Sequence, residues 1–157
     1  MKIVRSILAI VVGALLAFVV VGAGDALSMV LFMPAEWTSE KVRKAMEEDP
    51  QKLADLFKTM PVEALMIMVA GWGLAAFLGG LVAAFISGWA RCWHAGIIGG
   101  VLLIAIVVNF YRMTNLYDIA HPDWMIVAGL LLPLPLSLIA GKLVSMILPS
   151  APAAPQS

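Results

Sequence analysis

The chain has 157 residues, 62% of them hydrophobic and 13% charged, with ten Lys plus Arg against ten Asp plus Glu. A soluble domain runs at about 45–50% apolar with glycine counted and about 25% charged, so this composition excludes a water-soluble globule. A net charge of zero offers no basic field for nucleic acid, and one cysteine (Cys92) with two histidines (His94, His121) excludes a disulfide scaffold or a conventional zinc module.

Stretches free of Asp, Glu, Lys and Arg run over residues 6–24, 64–90, 92–111 and 124–141. Each reaches the roughly 18 residues that a transmembrane helix needs, and none shows the alternation of a membrane β-barrel strand. The expected fold is therefore an all-α membrane protein. Four transmembrane helices, over about 6–33, 62–90, 92–111 and 124–148, form an antiparallel bundle in one domain, residues 1–148. A loop over 34–61 joins the first two, and a Pro/Ala-rich tail over 149–157 is expected to be disordered.

The first span follows Lys2 and Arg5, and Val21, Gly22 and Ala23 fit the small-residue rule for signal-peptide cleavage. The apolar run resumes after Asp25 and continues to Met33, which favours a retained anchor. An even number of spans puts both termini on one side with Lys2, Arg5, Arg91 and Lys142. The other side carries six Lys and Arg (Lys41, Arg43, Lys44, Lys52, Lys58 and Arg112) together with nine acids. Counted literally, the positive-inside rule favours the opposite orientation. The first helix and its basic flank usually set topology, which places both termini in the cytoplasm, with a bacterial cell membrane as the expected location.

Within the first span Asp25 is the sharpest single candidate. A carboxylate at depth in a membrane is costly and usually marks a proton or ion path, and its neighbours Gly22, Ala23, Gly24, Ala26 and Ser28 are small. The bland alternative is a shallow Asp hydrogen-bonded to water or to the Ser28 hydroxyl.

The loop reads as two short amphipathic helices. Val42, Ala45 and Met46 share one face of the first, with Glu40, Lys44 and Glu48 at i, i+4 spacing on the wet side. Asp49 as N-cap and Pro50 as first residue open the second, where Leu53, Leu56, Phe57 and Met60 follow at helical spacing. Such a pair suits either a lid or an ordinary interfacial surface. Glu63 after Pro61, and Asp123 after Pro122, stand in first helical turns, where an acid offsets the helix dipole.

In the second span Gly71, Ala75, Gly79 and Ala83 recur every four residues, and Gly96 and Gly100 answer in the third. Small residues at this spacing let helix backbones approach closely. Pro133 and Pro135 predict a bend in the fourth span. Trp37, Trp93 and Trp124 suit the interface belt, whereas Trp72 lies deeper.

At the outer end of the third span Asn109, Arg112, Asn115, Asp118 and His121 form a polar rim. It could take an anionic headgroup through Arg112, or set His121 as a base oriented by Asp118. No phosphate-binding loop, dinucleotide fingerprint or HExxH occurs, so no cofactor or metal is expected. Three functions follow as expectations: a non-catalytic accessory subunit, with the bilayer and a second copy or a membrane protein as partners; a proton- or ion-coupled carrier using Asp25; and a lipid-active enzyme using the Arg112, Asp118 and His121 rim.

Overall fold

A computed structural model of the chain describes residues 2–32, 40, 44 and 50–148, with backbone alone for residues 50–53 and 56. The described residues are almost entirely helical: α1 (Lys2–Phe32), α2 (Pro50–Thr59), α3 (Val62–Ser87), α4 (Arg91–Tyr117), α5 (Asp123–Leu131) and α6 (Pro133–Ile147). Four stretches are long and apolar enough to cross a membrane, namely α1, α3, α4 and the α5–α6 pair taken together over Asp123–Ile147. Of the two loop helices expected from the sequence, the second is α2. The first lies outside the described residues apart from Glu40 and Lys44, whose side chains pair at 3.3 Å; Asp49 and Trp37 also lie outside them.

Each break in the chain has a local cause. The α3–α4 turn passes through Gly88 at φ 70° and Ala90 at φ 44°, both left-handed, which reverses the chain within a few residues. At Gly88 the Arg5 guanidinium occupies the place of a side chain, 2.6–2.9 Å from where a Cβ would stand. Arg5 Nε also donates to the Ile86 carbonyl, so a cation on α1 neutralises the negative end of α3. Helix α4 closes at Asp118, also left-handed at φ 52°, with its N–H donating to Met113 O. The bend between α5 and α6 falls at Leu132, because Pro133 has no N–H to offer the preceding turn. Glu63 and Asp123 do stand in first turns, behind the N-caps Pro61 and Pro122, which have no side-chain capping bond to offer, and an acid there offsets the helix dipole.

The third apolar helix runs beyond its expected end at Tyr111, through Arg112 to Tyr117. A charge marks where hydrocarbon contact becomes costly and does not by itself stop a helix, since Arg112 is exposed and free to reach water. At 1.5 Å per residue α1 is about 46 Å long and α4 about 40 Å, so both exceed a hydrocarbon core of about 30 Å.

Helix α3 is the most buried and α1 the least. The contacts of α1 ascend its sequence as they descend that of α3: Arg5 meets Ile86, Gly13 meets Gly79 and Ala83, Gly24 meets Gly71, and Ser28 Oγ donates to Ala64 O at 2.9 Å. On the other side of α3, Gly80 lies against Ser137 of α6, and Gly99 of α4 lies against Ser137, Pro133 and Leu134.

Among the described residues, the two largest of four buried clusters succeed one another along the bundle. One is built mainly from small residues, Ala17, Ala75, Ala76 and Ala83 with Ile98 and Leu102, and brings the backbones close. The other, Leu65, Val69, Trp72, Ile106, Phe110 and Met125, is made of large side chains that hold the helices apart. The change from small to large residues leaves α1 and α4 in contact near Gly13 and Ile98 and separated further along.

Candidate functional site: a cavity between α1 and α4

That separation encloses a cavity of about 420 Å³. One stripe of α1 supplies Phe18, Val21, Asp25 and Met29, and one stripe of α4 supplies Leu102, Ala105, Ile106, Asn109 and Met113, both at helical spacing. Met68 and Trp72 of α3 form the back wall. Phe57 of α2, Met60, His121 and Met125 of α5 cover the end beyond them. The volume falls within the range of about 300–1,000 Å³ common for small-molecule pockets, and the wall is mostly apolar with few convergent polar groups.

Asp25 and His121, far apart in the chain, thus share one wall. Asp25 Oδ1 and His121 Nδ1 are both buried without a hydrogen-bond partner. The Ser28 hydroxyl, the local partner that the sequence offers Asp25, is spent on Ala64 O across the helix contact. The His121 ring stands edge-on to Phe110 with centroids 4.7 Å apart, and Phe110 stands edge-on to Trp72 at 5.7 Å. His121 lies in the α4–α5 linker, where burial lowers its pKa from the ordinary 6.5; the Ile119 backbone pulls the other way but less strongly. The imidazole is therefore neutral at pH 7.

The polar rim splits in two. Asn109 and His121 line the cavity, whereas Arg112, Asn115 and Asp118 are exposed outside it. Asn115 Nδ2 donates to Tyr111 O at 2.8 Å, and Asp118 serves the turn that ends α4. Among the described residues no hydrogen bond or ion pair joins Asp118 to His121, so the geometry supplies no oriented base. Nor does the lining include a hydroxyl, thiol or amine side chain that could act as a nucleophile.

The small residues singled out by spacing are placed as follows. Ala75 and Ala83 are fully buried. A Cβ on Gly71 would stand 3.3 Å from Gly24 Cα, one on Gly79 would stand 2.7 Å from Gly13 O, and one on Gly96 would stand 3.2 Å from Leu138 Cδ2. Gly100 has nothing within 4 Å. At the opposite end of the bundle Cys92 is half-buried with its sulfur 3.9 Å from Ser145 Oγ, and His94 Nδ1 donates to Ala90 O at 3.0 Å. Among the described residues no group of three or more His, Cys, Asp or Glu could hold a metal ion.

Sequence reasoning found Asp25, Asn109 and His121 but not their convergence; it placed Phe57 and Met60 on a loop helix read as a lid or an interfacial surface and gave Met29, Met68, Met113 and Met125 no role. A signal existed: Met29 follows Asp25, and Met113 follows Asn109, at i+4, which extends each polar position into a stripe. Trp72, too deep for a belt anchor, belongs to the cavity wall. Comparison of the chain with family models, curated proteins and solved structures finds no match.

Proposed function

We propose that this chain is a non-catalytic integral membrane protein that binds a bilayer-dissolved amphiphile in the cavity between α1 and α4. In this reading the four long helices form an antiparallel transmembrane bundle with both termini cytoplasmic. The observation that carries the proposal is the convergence of Asp25, Asn109 and His121 on one otherwise apolar cavity.

Two lining residues, Phe18 and Asn109, are also exposed, one on each helix flanking the gap. They mark a mouth between α1 and α4, on a surface where Val19, Val107 and Val108 are exposed too. In a bundle of apolar helices such a surface meets acyl chains, so the route into the cavity is lateral. Phe18 lies seven residues, or about 10 Å, nearer the middle of α1 than Asp25. A ligand with its head at Asp25 and its tail passing Phe18 would lie in the sense of a lipid leaflet, head toward the interface and chain toward the centre.

Orientation is supported by charge. Among the described residues the end bearing the termini carries Lys2, Arg5, Arg91 and Lys142 and no acid, and Lys2 and Arg5 flank the first helix, whereas Asp55, Glu63, Asp118 and Asp123 stand at the other end with Lys58 and Arg112. An anionic cytoplasmic leaflet attracts the former end. Among the described lining residues there is no hydroxyl, thiol or amine side chain, and Asp118 lies outside the cavity, which favours binding over lipid chemistry.

The test is photolabelling in nanodiscs with decyl probes bearing a chain diazirine and a cationic, neutral or anionic head, followed by peptide mapping. At least one probe is expected to label Met29, Phe57, Met60 or Met113, and Ala105→Phe, which fills the cavity, should remove that label. Labelling confined to outward positions such as Leu15 or Leu131 with every probe would refute the proposal.

A further inference from the structure

We infer that the head of this amphiphile is a cation of the alkylammonium class, held by the Asp25 carboxylate. The inference rests on the cavity reading above and adds the charge of its ligand. Among the described residues Asp25 is the only acid in the lining, and no Lys or Arg accompanies it. Its Oδ1 is buried with no partner, because Ser28 is engaged with Ala64 O. A carboxylate in such surroundings is costly unless it takes up a proton or a positive charge joins it, and none of the described lining residues supplies that charge.

The remaining wall suits a cation with a hydrocarbon tail. His121, the one other ionisable group among the described lining residues, is neutral at pH 7 and so neither serves as the counter-ion of Asp25 nor repels an incoming ammonium. Phe18, Phe57 and Trp72 contribute aromatic rings, the side chains that attract ammonium groups through their π faces. Five methionines, Met29, Met60, Met68, Met113 and Met125, give a polarisable surface that adjusts to chains of different shape. An anionic head would instead meet Asp25 as a like charge, and a neutral one could donate a hydrogen bond but would leave the carboxylate's charge uncompensated.

The experiment measures equilibrium binding of radiolabelled decyltrimethylammonium to the full chain in phosphatidylcholine nanodiscs. Competitors are its hydrocarbon isostere, with carbon in place of the ammonium nitrogen, and decyl sulfate. The cation is expected to bind at least tenfold more tightly than the isostere, with decyl sulfate weaker still. Asp25→Asn should abolish the preference, and Asp25→Glu, which keeps the charge, should retain most of it. Equal affinity of cation and isostere for the natural chain, or an unchanged cation affinity in Asp25→Asn, would overturn the inference. If the isostere or decyl sulfate binds best and Ala105→Phe abolishes that binding, the cationic head is refuted and the cavity reading stands. If no probe binds, both fail.

Discussion

Gly24 of α1 lies directly on Gly71 of α3: a Cβ added at Gly24 would stand 3.2 Å from Gly71 Cα, and one added at Gly71 would stand 3.3 Å from Gly24 Cα. This crossing comes one residue before Asp25. It clamps the backbone on the α3 side and turns the next residue toward the flank that faces α4, where the cavity lies. Without a hydrophobic drive between helices in lipid, such backbone approach is a main source of association. The same glycines that join α1 to α3 therefore position the carboxylate.

Side chains introduced at the tight crossings are expected to destabilise the bundle in proportion to the obstruction. Of Gly79→Leu, Gly71→Leu and Gly100→Ala, the first should be the most severe, since even its Cβ would stand 2.7 Å from Gly13 O and 2.8 Å from Ala17 Cβ; overpacking of this kind costs about 1–3 kcal/mol. Gly71→Leu should also destabilise. Gly100→Ala, with nothing within 4 Å, should be neutral or stabilising by up to about 1 kcal/mol through helix propensity. Thermal unfolding in mild detergent ranks the three, and a Gly79→Leu protein as stable as Gly100→Ala would contradict this packing.

Ser28→Ala removes the side-chain bond that ties α1 to the first turn of α3. Hydrogen bonds between membrane helices average about 0.6 kcal/mol, so a small fall in stability is expected. The more telling effect is on Asp25: losing the Ser28–Ala64 bond loosens the α1 end that bears the carboxylate, and affinity for a cavity ligand should fall by more than stability does. Unchanged ligand affinity in Ser28→Ala would show that this tie does not position Asp25.

His121 makes a signed contribution to pH dependence. Its pKa is lower in the folded chain than the ordinary 6.5, so the unfolded chain takes up the proton first as pH falls. Stability attributable to His121 is therefore complete above about pH 6.5 and declines as pH drops below it, until the folded imidazole protonates as well. His121→Gln should flatten this part of the profile relative to the natural chain. Parallel profiles of the two proteins between pH 5 and 7 would refute it.

Phe110 links the cavity's aromatic wall to His121, with edge contacts to Trp72 and to the imidazole. Phe110→Leu forfeits both, each worth about 0.5–1.5 kcal/mol beyond the buried area. It should also let water reach His121 and move its titration back toward the ordinary value, as read by NMR of the imidazole. A titration unmoved by Phe110→Leu would mean that Phe110 does not shield the ring.

Much of the fold is legible in the sequence because charge-free runs of spanning length have few alternatives in lipid, and all four coincide with long apolar helices. Helix ends are less legible. Arg112 lies within α4 because a long cation reaches water from inside a helix, and the charge-free run stops short of Tyr117 for that reason. Asp25, Asn109 and His121 stand out individually as polar residues in or beside apolar segments. Their meeting does not, because it depends on which face α4 turns toward α1. That rotation is set by Gly99 against Ser137 and Gly96 against Leu138, contacts with a helix distant in sequence whose own course depends on the Pro133 bend.

The most direct test of the cavity as a ligand site uses the methionines as reporters. Met29, Met60, Met68, Met113 and Met125 line the cavity, whereas Met66 and Met146 are exposed elsewhere. With ¹³C-methyl methionine in nanodiscs, titration of decyltrimethylammonium should shift the cavity methyls, Met29 and Met113 most because they flank Asp25 and Asn109, and leave Met66 and Met146 still. Asp25→Asn should suppress those shifts. Shifts at Met66 and Met146 equal to those at Met29 and Met113, indifferent to Asp25→Asn, would mean that the amphiphile merely dissolves in the surrounding lipid.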